Sequence, residues 1–327
     1  MVSFFKEKST SGVFALVIAS ACVRAFFWVH PPQLITVPED GIIYYLISPL
    51  LNLPGILLPL LYQLIVMIQA LRLNYALNDV RLYSKPAFTT ALAYILLTAL
   101  FPDWNNITAA LVINSMLIWL LYRIIKLYNS QQPKTLIFNI GLITGTTILL
   151  YFPTLPLILV MFFTIATFRP FRLNEWLILL IGIIAPFYFF GAWLYITDRS
   201  EMALRQLQIF QLHVIRPANL PLTVTTLAIT GAAIIAGIFM WQSNSGRMII
   251  QVRKSWGVLF LMLLLLIPSV FIIKGAWPGA LLMAAVPASA FVANAFLYPK
   301  RNFVAAIIFW VFVALIIYNN WVAVKVL

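Results

Sequence analysis

Residues 175–196 read E-W-L-I-L-L-I-G-I-I-A-P-F-Y-F-F-G-A-W-L-Y-I, and only the first of these side chains carries a charge. A helix rises about 1.5 Å per residue, so this segment reaches the roughly 30 Å needed to cross the hydrocarbon core of a bilayer. Closed β-barrels also span membranes, but their strands alternate apolar and polar residues. The run here is continuously apolar, and it therefore predicts a transmembrane helix.

The whole chain resembles this segment in composition. Of its 327 residues, 63% are hydrophobic and 9% are charged, whereas a soluble domain carries about a quarter charged residues. We predict an all-α polytopic membrane bundle of about eleven transmembrane helices, which forms a single integral membrane domain over residues 1–327. The candidate segments are 12–29, 55–77, 86–101, 105–127, 135–151, 155–168, 175–196, 220–240, 257–273, 278–297 and 303–323.

Some stretches allow two interpretations. Segments 135–151 and 155–168 are short and are joined by Y-F-P-T-L-P, so they form either two tilted spans or one re-entrant hairpin. Residues 41–53 are too short to span, and they form either a helix on the outer membrane surface or a kinked extension of the next span.

The run G-L-I-T-G at 141–145 has small residues four apart, which is typical of a helix-packing face.

The basic residues indicate the orientation of the chain. With a cytoplasmic N-terminus, fifteen of the 21 lysines and arginines lie on the cytoplasmic side and six on the outer side. This distribution follows the positive-inside rule. We therefore predict a protein of the bacterial inner (plasma) membrane, with its N-terminus cytoplasmic and its C-terminus periplasmic. Because topology accounts for the net charge of +13, no nucleic-acid partner is expected.

Acidic residues are concentrated on the predicted outer face, at Glu39, Asp40, Asp103, Asp198 and Glu201. Asp40 lies in the first outer loop, 29–54, where it is either the N-cap of the surface helix or a general base for an acceptor hydroxyl. Its neighbour Glu39 is the alternative base. Asp103, in the second outer loop, is either the cap of a helix beginning near Asn105 or a second catalytic carboxylate. A divalent metal between Asp40 and Asp103 is only weakly indicated, and no cofactor is expected.

The outer basic residues are candidates for binding phosphate. Arg24, near the outer end of the first span, either snorkels to the membrane surface, pairs with Glu39 or Asp40, or binds a lipid phosphate. The longest outer loop, 197–219, reads as an amphipathic surface helix that places basic groups among lipid headgroups. These groups are Arg199, Arg205, His213 and Arg216. The two histidines, His30 and His213, do not have the spacing of a metal site.

Four stretches resemble an uncharacterised family of bacterial multi-pass inner-membrane proteins. They are S-F-F-K-E-K-S-T at 3–10, Q-A-L-R-L-N at 69–74, F-N-I-G-L-I-T-G-T-T-I-L-L-Y-F-P at 138–153 and E-W-L-I-L-L-I-G-I-I-A-P-F at 175–187. The resemblance covers at least residues 1–198. Members are sometimes labelled carotene-cleaving oxygenases, but those enzymes hold iron with four histidines and this chain has two. That label does not fit.

The chain is more distantly similar to the GT-C type of polyprenyl-phosphate-sugar-dependent membrane glycosyltransferases. In that superfamily the first outer loop carries a catalytic acid and is followed by helices on the membrane surface. A second acid often lies in the next outer loop, and a later loop supplies basic groups to the lipid phosphate. The similarity implies these roles for Asp40 or Glu39, for Asp103, and for the basic residues of loop 197–219. This chain departs from the type in its short first loop and in having no sizeable periplasmic domain.

Three functions follow as hypotheses. The first is a GT-C-like transferase that uses a polyprenyl-phosphate-linked sugar at the outer leaflet. The second is a non-catalytic membrane subunit of an envelope assembly or export complex. The third is a flippase for lipid-linked substrates, which needs a polar cavity through the bundle. Membrane lipids are partners in all three. Mid-span charges are nearly absent, which argues against an ion-coupled transporter.

Overall fold

A computed structural model describes residues 2–6, 10–35, 42–43, 47, 54–198, 219–271, 277–299 and 302–326. Within these ranges the regular secondary structure is helical, apart from an isolated parallel bridge between Leu34 and Ile107. The described α-helices are α1 Thr10–Val23, α2 Leu57–Asp79, α3 Thr89–Leu97, α4 Ala109–Lys126, α5 Pro133–Leu150, α6 Leu157–Phe168, α7 Leu173–Ile196, α8 Leu220–Asn244, α9 Ile250–Leu266, α10 Trp277–Met283, α11 Ala285–Leu297 and α12 Asn302–Val326.

Seven helices in the described part of the chain are long and apolar enough to cross a membrane. They are α2, α4, α5, α7, α8, α9 and α12. Helices α1, α6 and α11 are apolar but shorter. Because each long helix carries an apolar stretch of about the thickness of a bilayer core, these segments indicate a helical membrane protein, as the composition predicts.

Two short helices lie in the interior of the bundle. Every residue of α3 is buried, and α11 is buried from Ala285 to Phe296. The two helices contact each other, and α2 and α8 pack against them. A helix that is enclosed on all sides is apolar all round, which explains why sequence pattern alone does not separate these segments from lipid-facing ones. At nine residues, α3 is shorter than the predicted span 86–101.

Helices α5 and α7 approach each other through glycines. Gly141 and Gly145 of α5 lie against Gly182 and Ile183 of α7, and a Cβ atom at Gly145 would overlap the backbone of Ile183. Small residues allow two helix backbones to come this close. The predicted packing face at 141–145 is therefore confirmed. Since α6 has only 12 residues, the choice between two spans and a hairpin stays a prediction.

Interhelical hydrogen bonds show which helix ends lie together. Asn319 Nδ2, near the end of α12, donates to Leu100 O just after α3 at 2.7 Å and to Thr226 Oγ1 of α8 at 3.0 Å. At the opposite end of α3, Phe88 N donates to Phe5 O at 2.8 Å. Following the predicted orientation, we name the end with Leu100 the outer end and the end with Phe88 the cytoplasmic end.

The cytoplasmic end contains a buried ion pair. Arg169 Nη2 lies 3.2 Å from Glu175 Oε1, and Glu175 is only 1% exposed. Glu175 stands in the first turn of α7, where the helix dipole also favours an anion. The sequence places Glu175 on this side of the membrane but gives no sign that it is buried and paired.

Candidate functional site

The first and second outer loops are joined by backbone hydrogen bonds. Ile107 N donates to Gln33 O at 2.9 Å, and Ile35 N donates to Ile107 O at 3.1 Å. The chain five residues before Asp40 is thus tied to the segment that follows Asp103.

Asp103 lies in a short 3-10 helix, Pro102–Asn105, between α3 and α4. It is an exposed residue, and it forms no ion pair with any residue that the structure describes. Neighbouring protein atoms nevertheless displace part of its hydration, and this desolvation raises the pKa of the Asp103 carboxyl above its ordinary value of 3.8. An upward shift brings a carboxylate closer to the pKa that suits a general base.

The predicted capping role of Asp103 is wrong. Helix α4 begins at Ala109, and its N-cap is Thr108, whose Oγ1 accepts a hydrogen bond from Leu111 N at 3.4 Å. The separate 3-10 turn ends at Asn105, four residues before α4 begins. Threonine and aspartate are both good caps, so the sequence alone does not decide between them. Asp103 is left free of any helix-capping role.

Arg24 is buried, and the prediction that it snorkels to the surface is wrong. The residue is 3% exposed. Its Nη1 donates to Ser20 Oγ at 2.7 Å, and its Nη2 donates to Thr98 Oγ1 at 2.8 Å. Hydroxyl acceptors inside the bundle thus replace the water that a snorkelling arginine would seek. Because both terminal nitrogens bond to α1 and to the end of α3, Arg24 acts as a link between helices.

Tyr62 connects Arg24 with the loop that carries Asp103. The Arg24 guanidinium carbon lies 5.4 Å from the centroid of the Tyr62 ring, within the range of a cation–π contact. The Tyr62 hydroxyl donates to Trp104 O at 2.9 Å. Arg24 and Asp103, the two candidates that the structure describes, therefore lie at the same end of the bundle. The pairing of Arg24 with Glu39 or Asp40, or with a lipid phosphate, stays a prediction.

The other candidate residues lie outside the described residues. These are Glu39, Asp40, Arg199, Arg205, His213 and Arg216. Of the predicted surface helix over 41–53, only Ile42, Ile43 and Ile47 are described, and both Ile43 and Ile47 are buried. No group of three His, Cys, Asp or Glu within the described ranges has the geometry to hold a metal ion. The weakly indicated metal at Asp40 and Asp103 involves an undescribed residue and stays a prediction.

Asp103→Asn is expected to stabilise the protein at neutral pH. The folded-state pKa of Asp103 lies above the unfolded value, so the ionised carboxylate destabilises the fold and the protonated form does not. Asparagine cannot ionise and removes this cost. Thermal denaturation should give a higher Tm for the variant at neutral pH, and the difference should vanish as the pH falls through the folded pKa towards 3.8. A variant that is less stable than wild type at neutral pH would contradict the desolvation that raises the pKa of Asp103.

Sequence reasoning missed a polar cluster between α2, α3 and α4. The Tyr94 hydroxyl donates to Gln69 Oε1 at 2.8 Å, Gln69 Nε2 donates to Ser115 Oγ at 2.8 Å, and Asn114 Nδ2 donates to the Tyr94 oxygen at 3.2 Å. Polar side chains inside a membrane bundle bond to one another because lipid offers no partners. The only sequence signal is that single polar residues interrupt apolar runs, and this does not identify which of them meet.

A cleft that no sequence pattern predicts lies at the cytoplasmic end of the bundle. Its volume is about 610 Å³, and Arg81, Arg123, Lys126 and Asp79 are among the residues that line it. Lys126 Nζ lies 3.3 Å from Asp79 Oδ2. In the sequence these charges indicate only the orientation of the chain. Their convergence could not be foreseen, because they come from the ends of separate helices.

Long apolar helices packed around the buried helices α3 and α11 define an integral membrane protein of the helical-bundle class. Within that class, residues 46–327 match the family of unknown function DUF6427, and the chain belongs to this family. The resemblance to an uncharacterised family is thereby supported. No curated protein and no solved structure matches the chain. The similarity to GT-C glycosyltransferases and the label of carotene oxygenase receive no support from these comparisons.

Proposed function

We propose that this protein transfers a glycosyl or related group at the outer leaflet of the bacterial inner membrane, from a polyprenyl-phosphate-linked donor. The observation that carries the proposal is the bridge between Leu34 and Ile107. It holds together the two outer loops that carry the acidic residues Asp40 and Asp103. The raised pKa of Asp103 adds to the case, since a partly desolvated carboxylate attracts a proton more strongly and so accepts a stronger hydrogen bond from the hydroxyl that it orients.

The proposal includes an eleven-span topology with a cytoplasmic N-terminus and a periplasmic C-terminus. An odd number of spans places the two termini on opposite sides of the membrane. The hydrogen bonds of Asn319 support this arrangement, because they join the end of α12 to the end of α3 and the start of α8. In the proposed order, all three of these helix ends face the periplasm.

In the proposed reaction Asp40 or Glu39 takes the proton of an acceptor hydroxyl. The acceptor oxygen attacks the anomeric carbon of the donor sugar, the bond from that carbon to the phosphate oxygen breaks, and the lipid phosphate leaves. Asp103 orients the acceptor from the adjoining loop. Basic groups of loop 197–219, such as Arg199 and Arg216, neutralise the charge of the departing phosphate, for which a guanidinium is well suited.

A non-catalytic membrane subunit is the second candidate function, and the position of Arg24 favours it. One terminal nitrogen of this arginine bonds to the Ser20 hydroxyl of α1, and the other bonds to the Thr98 hydroxyl at the end of α3. One of the candidate phosphate ligands thus has a sufficient structural explanation. A subunit of an envelope assembly or export complex needs no catalytic acid and no phosphate ligand.

Amide variants test the transferase proposal. Asp40→Asn, Glu39→Gln and Asp103→Asn would be expressed in a host that lacks the native gene, and the envelope glycans would be profiled. Loss of a general base is expected to lower product formation by about 10²-fold or more. Glu7→Gln, at the predicted cytoplasmic side, is the matched control and should restore the wild-type profile.

Two results would decide against the transferase. If the host without the gene keeps an unaltered glycan profile, the protein does not perform this transfer. If all three amide variants restore full function and the protein co-purifies with stable membrane partners, the subunit is the correct function.

A further inference from the structure

We infer that the cleft at the cytoplasmic end binds the phosphate of an anionic phospholipid headgroup. Three cations, Arg81, Arg123 and Lys126, line the cleft together with one carboxylate, Asp79. The positive charges are thus in excess. Most of the remaining lining residues are polar side chains able to hydrogen-bond phosphate oxygens, among them Asn139. The inference concerns the opposite end of the bundle from the proposed transfer site and does not depend on it.

The backbone at Arg81 is the clearest sign that this residue has a function. Arg81 follows the end of α2 with a φ of 53°, in the left-handed region. Arg81 N donates to Asn78 O and Leu82 N donates to Leu77 O, both at 3.0 Å, so the turn is a helix C-terminal motif. Glycine is the usual residue at such a position, since a Cβ atom disfavours the left-handed conformation. An arginine here costs stability, and its exposed, charged side chain lines the cleft.

Of the other two cations, Arg123 has a nitrogen without a hydrogen-bond partner in the described residues, and Lys126 is paired with Asp79. Arg123 Nε is buried and has no hydrogen-bond partner in the described part of the chain. Lys126 bonds to Asp79, which also accepts a hydrogen bond from the Tyr122 hydroxyl at 3.1 Å. Asp79 therefore offsets one cation of the three. Arg81 and Arg123 form no ion pair with a described residue.

Two helix N-termini add to the attraction for an anion. Helices α5 and α9 begin at the cleft, which is lined by Gln132 and Thr135 of the first and by Ile249 and Gln251 of the second. Neither N-cap, Gln132 or Ile249, accepts a hydrogen bond through its side chain. The N–H groups in the first turn of each helix, except at Pro133, which has none, thus have no acceptor on an N-cap side chain, and such groups favour negative charge.

Aromatic residues place the cleft at the level of the lipid headgroups. Trp119 and Tyr75 are 45% and 57% exposed, and exposed Trp and Tyr gather at membrane interfaces. The guanidinium carbon of Arg123 lies 5.9 Å from the Trp119 ring centroid, and Lys126 Nζ lies 4.3 Å from that of Tyr122. Basic groups between spans on the cytoplasmic side are suited to anionic lipid headgroups. A lipid phosphate therefore fits this position better than a soluble one.

The test compares lipid-dependent stability in three arginine variants. The full chain is placed in nanodiscs of phosphatidylcholine with an increasing share of phosphatidylglycerol, and Tm is followed. A lipid that binds only the folded state stabilises it by RT ln(1 + [L]/Kd), so Tm rises as the share of phosphatidylglycerol increases and rises less when the affinity is lower. Arg81→Gly and Arg81→Gln should lower the apparent affinity for phosphatidylglycerol by about fivefold or more. In pure phosphatidylcholine, Arg81→Gly should equal or exceed wild type in Tm, because glycine relieves the left-handed backbone.

Arg253→Gln is the matched control. Arg253 is exposed near the start of α9 but does not line the cleft, so its removal should leave the titration unchanged. The inference is overturned if Arg81→Gln and Arg253→Gln change the apparent affinity for phosphatidylglycerol equally. The affinity would then depend on the overall surface charge and not on the cleft. It is also overturned if Arg81→Gly is less stable than wild type in pure phosphatidylcholine, since the arginine would then be structural. If inorganic phosphate alone raises the wild-type Tm as much as phosphatidylglycerol does, the lipid is not the ligand.

Discussion

Gly145→Leu is expected to disrupt the contact between α5 and α7 and to destabilise the protein by about 3 kcal/mol or more, at the upper end of overpacking effects. Even a single Cβ atom at this position overlaps the backbone of Ile183. A backbone cannot rotate away as a side chain can, so the two helices must separate. Thermal denaturation and size-exclusion chromatography of the purified protein in detergent measure the loss. Gly145→Ala should give a smaller effect in the same direction.

Gly191→Ala in α7 is the control for this prediction. No atom lies within 4 Å of the position that a Cβ would occupy there. Alanine loses less conformational entropy than glycine in a helix, so the variant should be neutral or stabilised by up to about 1 kcal/mol. A Gly145→Leu variant as stable as wild type would show that α5 and α7 do not meet at these glycines.

Arg24→Ala is expected to cost about 3 kcal/mol. The change removes three charge-assisted hydrogen bonds, to Ser20 Oγ, Thr98 Oγ1 and Ile95 O, and leaves a cavity beside Tyr62. Arg24→Met fills more of this space without a buried charge and should recover much of the loss. The measurement is again the Tm of the purified protein.

Arg72→Ala is the matched control for Arg24, because Arg72 is an exposed residue of α2. Its removal should change the free energy of unfolding by no more than about 0.5 kcal/mol. If Arg24→Ala leaves Tm unchanged but abolishes the glycan product, Arg24 acts on a substrate phosphate. If it lowers Tm and Arg24→Met restores both Tm and product, Arg24 is a structural link.

The candidate site shows where sequence reasoning succeeds and where it stops. Grouping Asp103 with the first outer loop follows from topology, and the bridge between the loops agrees with it. The role of Arg24 was not predictable, because its acceptor Thr98 lies 74 residues further along the chain and meets it only in the folded bundle. A cap for α4 at Thr108 was missed because several residues nearby are equally able to cap.

The cytoplasmic cleft is a second feature that could not be predicted from the sequence. Arg81, Arg123 and Lys126 are visible in the sequence as positive-inside charges. Nothing in the order of residues shows that the ends of α2 and α4 meet the starts of α5 and α9 around one cleft. The left-handed backbone of Arg81 is also hidden, since glycine is the residue that normally signals such a turn.

The hydropathy of the chain is enough to identify a helical membrane protein, because continuous apolar runs of the right length have few other stable solutions in a bilayer. The sequence also identifies the glycine face of α5, and it predicts that most positive charges lie on the cytoplasmic face. The folded bundle is needed to show that α3 and α11 are enclosed, that Arg24 is buried, and that three cations converge on a cleft. Hydropathy depends on each segment alone, whereas burial, hydrogen bonding and clefts depend on which helices become neighbours.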